Sequence, residues 1–164
     1  MSLNPRLQRL FERTHASYAL IPHREVFTAK EVAQVSHVAG RSLAKVVIAR
    51  DTVDADLMVV LPAGQQFDQG ELHRVTGRTG FVLENEAELA RIFPDCEVGA
   101  MPPFGPLYGL AMYIDPCLLE NGILYFQAGN HHELVRMRSE EYQRIARPFF
   151  ASGCMHRVPQ MTAD

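Results

Sequence analysis

Residues 43–61 read LAKVVIARDTVDADLMVVL. Two short apolar runs, 43–49 and 57–61, flank a polar stretch that carries Asp51, Asp54 and Asp56. Runs of this length, rich in valine and isoleucine, are strands rather than helices. Together they predict a hairpin with a long loop, ended by Pro62-Ala63-Gly64. Alternation along the first strand puts Leu43, Lys45, Val47 and Ala49 on one face, so a lysine stands among apolar neighbours.

Working outward, Leu7, Leu10 and Phe11, with Leu3 one turn earlier, predict an amphipathic helix over 3–14. A short strand is expected at 18–22. Thr28 and Glu31 form a capping-box pattern for a helix running to about His37, with Gly40 as its stop. Beyond the hairpin, 68–75 suits a short helix, and Asn85 with Glu88 signals another that ends before Pro94. Residues 99–109, GAMPPFGPLYG, hold three glycines and three prolines. That composition makes a structured loop and excludes a central strand. Strands are expected at 110–114, 123–127 and 133–137, and a last helix at 139–146. Strands and helices do not alternate regularly. The reading is a single α/β domain of α+β type, spanning 1–164 with its core at about 5–150, built on a largely antiparallel or mixed sheet.

Composition narrows the function. The net charge of −3 speaks against broad neutralisation of nucleic-acid phosphates, though not against a grip on a short end. Residues 1–82 carry +2 and residues 83–164 carry −5. Of 16 basic residues only Lys30 and Lys45 are lysine, so a lysine here is a less casual choice than usual. No apolar run is long enough for a membrane helix, and no apolar signal core opens the chain. Cys96, Cys117 and Cys154 are widely spaced without a CxxC, so neither a disulfide framework nor a zinc ribbon is expected. The expected compartment is the cytoplasm.

Three places could carry chemistry. Lys45 is either a partly desolvated ammonium that holds an anion, or an edge-strand lysine that blocks aggregation. The 99–109 loop offers backbone N–H groups to an oxyanion, or is a rigid surface connection. Gly129-Asn130-His131-His132 follows an apolar strand. Of two adjacent histidines on extended chain, at most one faces a given pocket. On the residues alone, a polar turn with solvent-facing imidazoles is the favoured reading. No HExxH, GxSxG, GxGxxG or GxxxxGK[ST] occurs, so no metal or other cofactor is expected. His15, His23, His37, His73 and His156 are scattered. The Asp51–Asp54–Asp56 turn and the arginines at 136, 138, 144 and 147 are expected to be solvated surface.

Three segments in order, SLAKVVIA with Lys45, GAMPPFG from Gly99 through Pro103 to Gly105, and FQAGNH with Gly129 and His131, resemble the YbaK/prolyl-tRNA synthetase-associated editing domain family. The likeness covers roughly residues 5–150 and fits a free-standing member. It implies a mixed sheet curled into a barrel with helices around it. It implies trans-editing, the hydrolysis of mischarged aminoacyl-tRNA, often on tRNA-Pro. It makes Lys45, Gly99 and His131 the catalytic set. Leu43, Val46, Met101, Pro102, Pro103, Gly105, Gly129 and Asn130 would contact substrate. In the family the residue after the lysine varies with substrate choice. Val46, in place of the asparagine of the alanine-specific group, argues against alanine on tRNA-Pro. The expected partner is the aminoacyl-tRNA acceptor end, delivered by a synthetase or an elongation factor, with no DNA or membrane role. A non-catalytic binding module that recognises a nucleotide end or small molecule, and a hydrolase of small aminoacyl esters, are the competing readings.

Overall fold

The computed structural model describes residues 3–151; Cys154 and His156 lie outside them. The elements run α1 (Pro5–Thr14), β1 (Ala19–Pro22), α2 (Ala29–Ser36), β2 (Ala44–Arg50), β3 (Asp56–Pro62), α3 (Gln69–Thr76), β4 (Val82–Leu83), α4 (Glu86–Ile92), β5 (Ala111–Ile114), β6 (Ile123–Gln127), β7 (Glu133–Arg138), α5 (Ser139–Ala146) and β8 (Phe149–Phe150), with short 3-10 turns at Gly40–Ser42, Gly105–Tyr108 and Pro116–Leu119.

The hairpin forms as its sequence predicts. β2 and β3 pair antiparallel, with Lys45 opposite Leu61 and Ile48 opposite Met58. Its acidic loop is solvated at Asp54, as expected, but Asp51 is buried and staples the turn. The buried Asp51 carboxylate accepts from the N–H groups of Val53 and Ala55, both at 3.0 Å, and from Arg78 Nε at 2.5 Å. The Ala55 N–H, helped by Arg78 and Val53 against the cost of burial, holds this carboxyl below the usual range.

Five strands form one mixed sheet in the order β4-β2-β3-β5-β8, and three form an antiparallel sheet in the order β1-β7-β6. In the first sheet β3–β5 and β5–β8 are parallel. The mixed sheet is as expected; its closure into a barrel is not. The two sheets meet through an isolated parallel bridge from Leu43 to Tyr125. A barrel needs its edge strands to pair in a consistent stagger. The edges here, β4 and β8, are two residues each and do not pair with one another.

Both faces of the five-stranded sheet are buried. Ala44, Ile48, Met58 and Val60 join Leu7, Leu10 and Phe11 of α1 with Phe104, Phe126 and Tyr142 in the main core. Ala49, Leu57, Val59 and Leu61 pack with Leu72 and Phe81 on the other side, where Val47 also packs. Each such side chain contributes about 1.5–3 kcal/mol.

Sequence-local chemistry ends the helices. Thr28 and Glu31 make the reciprocal capping box on α2, and Asn85 caps α4. The stop of α2 is His37, left-handed at φ 56, three residues before the glycine expected to do it. Asn4 caps α1 by accepting from the N–H groups of Arg6 and Leu7, while its own amide Nδ2 donates 2.9 Å to the Asp95 carbonyl. That second bond ties α1 to the loop that carries Gly99.

Candidate active site

The loop preceding the proline-rich stretch is bonded to the β6–β7 turn. The Glu97 N–H donates to Gly129 O at 2.8 Å, and the Gly129 N–H donates to Ala100 O at 2.8 Å. Gln127 Nε2 donates to Gly99 O at 3.3 Å. Two glycines are required. Gly129 has φ +105, and a Cβ there would stand 3.1 Å from the Asn4 Cβ. Gly99 has φ +92 and lies against the His131 ring, 3.5 Å from Cε1 to a would-be Cβ.

His131 is a buried titratable side chain at this junction. Its side chain is 5% exposed. Its backbone N–H donates to Glu97 Oε1 at 3.0 Å. Its Nε2 is 2.8 Å from Val98 O; a carbonyl only accepts, so Nε2 carries the proton. Nδ1 is buried and meets no hydrogen-bond partner among the described residues. The edge of Phe27 packs on the ring, with centroids 4.8 Å apart. His132, its neighbour, is exposed. Alternation thus selects His131 for the interior.

A cavity of about 850 Å³ opens against this ring, walled by Glu25, Phe27, Thr28, Glu86, Leu89, Glu97, Val98, Gly99 and His131. The Gly99 N–H meets the Met101 Sδ at 3.2 Å, a weak acceptor that a carbonyl oxygen would outcompete. The rest of the proline-rich loop is support. Met101, Pro102, Pro103 and Gly105 are buried. The Tyr142 hydroxyl donates to Pro103 O at 2.7 Å, and a Cβ on Gly105 would come within 2.8 Å of the Leu110 carbonyl.

Lys45 lies elsewhere. It lines a cleft of about 460 Å³ with Val47, Gln66, Phe67, Gln69, Phe81, Val82 and Leu83. Nζ donates to the Gln65 carbonyl. Burial in these apolar walls lowers its pKa. Of the residues expected to form one site, Gly99 and His131 share a cavity and Lys45 does not line it. Gly129 and the buried Asn130 belong to the turn behind His131. Leu43 is core, packed with Val26, Val32 and Leu134. Val46 faces away from Lys45, toward the cluster against which Leu89 of the His131 cavity also packs. The two openings flank one segment: Val82 and Leu83 border the first, Glu86 and Leu89 the second.

Sequence reasoning missed Glu97, Val98, Phe27 and Thr28. Their contribution comes from tertiary approach, without a motif of their own. The arginines at 138 and 144 are engaged by Glu140 and Glu141, as expected of a solvated face. No described helix is long and apolar enough to cross a membrane.

Known proteins resemble this chain in sequence and in fold. The chain is 28% identical over 147 residues to the multifunctional Ser/Thr-tRNA deacylase ProXp-y of Escherichia coli strains K12 and O157:H7, covering 87% of each chain. Its fold is similar to a crystal structure of a proposed trans-editing enzyme for prolyl tRNA synthetase, with TM-score 0.73, 21% identity, and 90% and 94% of the two chains covered. It is also similar to the hypothetical protein APE2540, with TM-score 0.78, 17% identity, and 89% and 97% covered. The family profile described as the aminoacyl-tRNA editing domain matches residues 23–145, so the chain belongs to the aminoacyl-tRNA editing domain family.

Proposed function

We propose that residues 1–164 act as one domain that hydrolyses mischarged aminoacyl-tRNA in trans, on a carrier of the tRNA-Pro type. The observation that carries this reading is His131. The ring lines a cavity beside Gly99, one of its nitrogens is fixed on the Val98 carbonyl, and the other is buried without a partner among the described residues. Family membership supports the reaction class. The relatives' description as Ser/Thr-tRNA deacylases supports serine or threonine as the amino acid removed.

The reaction asks little of side chains. A water oxygen bonds to the ester carbonyl carbon and the bond to the terminal ribose oxygen breaks. That oxygen takes a proton, releasing the amino acid and an uncharged tRNA. Positioning and a stabilised oxyanion suffice. The Gly99 N–H serves the carbonyl oxygen. His131 Nδ1 accepts from a ribose hydroxyl and so orients the ester. Lys45, in the other cleft, holds the terminal phosphate, with Phe67, Val82 and Leu83 as an apolar wall for a base. Val46 backs the aminoacyl pocket and selects by size, as a second sieve. A short grip of this kind gives weak affinity for free tRNA with a shallow salt slope, so a synthetase or elongation factor delivers the substrate.

The separation of Lys45 from His131 favours the competing reading, a nucleotide-end binding module without turnover. A deacylation screen over correctly and incorrectly charged tRNAs, with wild type, Lys45→Ala and His131→Ala, decides between them. Turnover of a mischarged seryl or threonyl species, unaffected by chelator and lost in both variants, is the expected result. No turnover by a well-folded wild type overturns the proposal.

A further inference from the structure

The His131 cavity is rimmed by three carboxylates, Glu25, Glu86 and Glu97, and neither lysine nor arginine lines it. This is an unexpected lining for a protein whose substrate is a polyanion. Resting on the reading above, the charge has one consistent use. At the aminoacyl end of a tRNA, the α-ammonium is the cation common to every amino acid. We propose that Glu97 receives the α-ammonium of the aminoacyl ester, so that the cavity selects free aminoacyl ends and rejects N-acylated ones such as peptidyl or formylated tRNA.

The three carboxylates are not equivalent. Glu86 stands in the first turn of α4, where the helix N-terminus already favours an anion. Glu25 is exposed and joins the cavity only as part of its lining. Glu97 is fixed at both ends. Its backbone N–H donates to Gly129 O at 2.8 Å, its carbonyl accepts from the Ala100 N–H at 3.0 Å, and its Oε1 accepts from the His131 N–H at 3.0 Å. The carboxylate is thus preorganised 4.0 Å from His131 Nε2 yet keeps 46% of its side-chain surface open. An independent observation marks the same spot as a ligand site. The His131 side chain lines that wall, is 95% buried by its 5% exposure, and leaves its buried Nδ1 without a partner among the described residues. A hydroxyl donor for Nδ1 and a cation for Glu97 stand close together on the ribose ester of an amino acid, and no unmodified nucleotide offers the pair.

The test compares three forms of one acylated tRNA. They are the aminoacyl form, its nitrous-acid-deaminated form, in which a hydroxyl of similar size replaces the ammonium, and its N-acetyl form. Rates are normalised to uncatalysed hydrolysis of each ester, which removes the intrinsic activation by the ammonium. Wild type is expected to prefer the aminoacyl over the hydroxyacyl form by tenfold or more in kcat/KM, expressed chiefly in KM, and to reject the N-acetyl form further. Glu97→Gln keeps the acceptor for the His131 N–H and loses the charge, so its preference is expected to fall to within about threefold. Turnover by wild type with equal rates on aminoacyl and hydroxyacyl forms overturns this inference alone, as does a preference that survives in Glu97→Gln. Absence of turnover on all three forms overturns the deacylase reading together with it.

Discussion

Gly99→Ala isolates the backbone geometry of the site. At φ +92 an L side chain is strained by about 1–2 kcal/mol. The unfolded chain loses freedom on the same substitution, which returns about 0.4–1 kcal/mol. The net loss is therefore about 1 kcal/mol, or roughly 2–4 °C in Tm for a chain of this size. Sterics add little, because the new Cβ would lie 3.5 Å from His131 Cε1, an ordinary contact. Function should suffer more. Relief of the strain rotates the Val98–Gly99 peptide, which carries the carbonyl that holds His131 Nε2 and the N–H proposed to serve the ester. Misplacement by about 1 Å can cost on the order of 100-fold in rate. Gly122→Ala is the matched control: φ is +80, nothing lies within 4 Å of the new Cβ, and the position is outside the cavity lining. The pair is to be compared by thermal melt and by single-turnover deacylation. The expectation is similar Tm losses, with a rate loss of tenfold or more in Gly99→Ala only. Equal stability losses with both activities intact would refute the reasoning.

Three further outcomes follow from the packing and the titrating groups. Tyr142→Phe keeps the ring contacts to Phe104 and Phe126 but strands the buried Pro103 carbonyl, so a urea melt should show a loss of about 1–3 kcal/mol; an unchanged midpoint would show that the hydroxyl does not brace the loop. Lys45 titrates lower in the folded than in the unfolded chain, so the unfolded state binds more protons between the two values. Stability of wild type relative to Lys45→Met should therefore rise as pH increases through the folded pKa toward the ordinary 10.5, and a flat difference would contradict the desolvation. Burial, partly opposed by the Tyr108 hydroxyl, pushes the Cys96 thiol up to about 11. At pH 8 only about one part in a thousand is thiolate. Alkylation of Cys96 in the native protein, read by peptide mass, should be far slower than in urea, and comparable rates would sink that assignment.

Where local chemistry decides a structure, the sequence is readable. Thr28 and Glu31 announce α2, and the aspartate-bearing turn between two apolar runs announces the hairpin. The misses have a common cause. β4 and β8 are two residues each, too short for any periodicity, and they exist because a neighbouring strand offers its edge. The end of α2 near His37 is as read, but His37 rather than Gly40 makes the stop, because histidine in the left-handed region is set by the fold around it, not by propensity. The site divides in the same way. Gly99 and His131 came from the family resemblance, while alternation allowed one of the two adjacent histidines inside without choosing between them. Glu97 becomes functional only when residues 97–100 are laid against 128–131. The barrel expectation came from resemblance alone, and the edges of this sheet do not support closure.

Lys45 remains the point at which sequence and geometry pull hardest against each other. Arginine supplies 14 of the 16 basic residues, yet lysine stands here. The cleft explains why. Its wall is largely Val47, Phe67, Phe81, Val82 and Leu83, and the acceptor that Nζ meets is the Gln65 carbonyl. A guanidinium brings five donors in a fixed fork and would leave several unsatisfied against those rings, whereas an ammonium can turn one N–H to Gln65 and the others to an anion. Lys45→Arg should therefore fail despite its conserved charge, with a loss of deacylation approaching that of Lys45→Ala and an unchanged thermal midpoint. If arginine instead sustains the wild-type rate, the position needs only positive charge, and the partly desolvated ammonium is not what the cleft was built to hold.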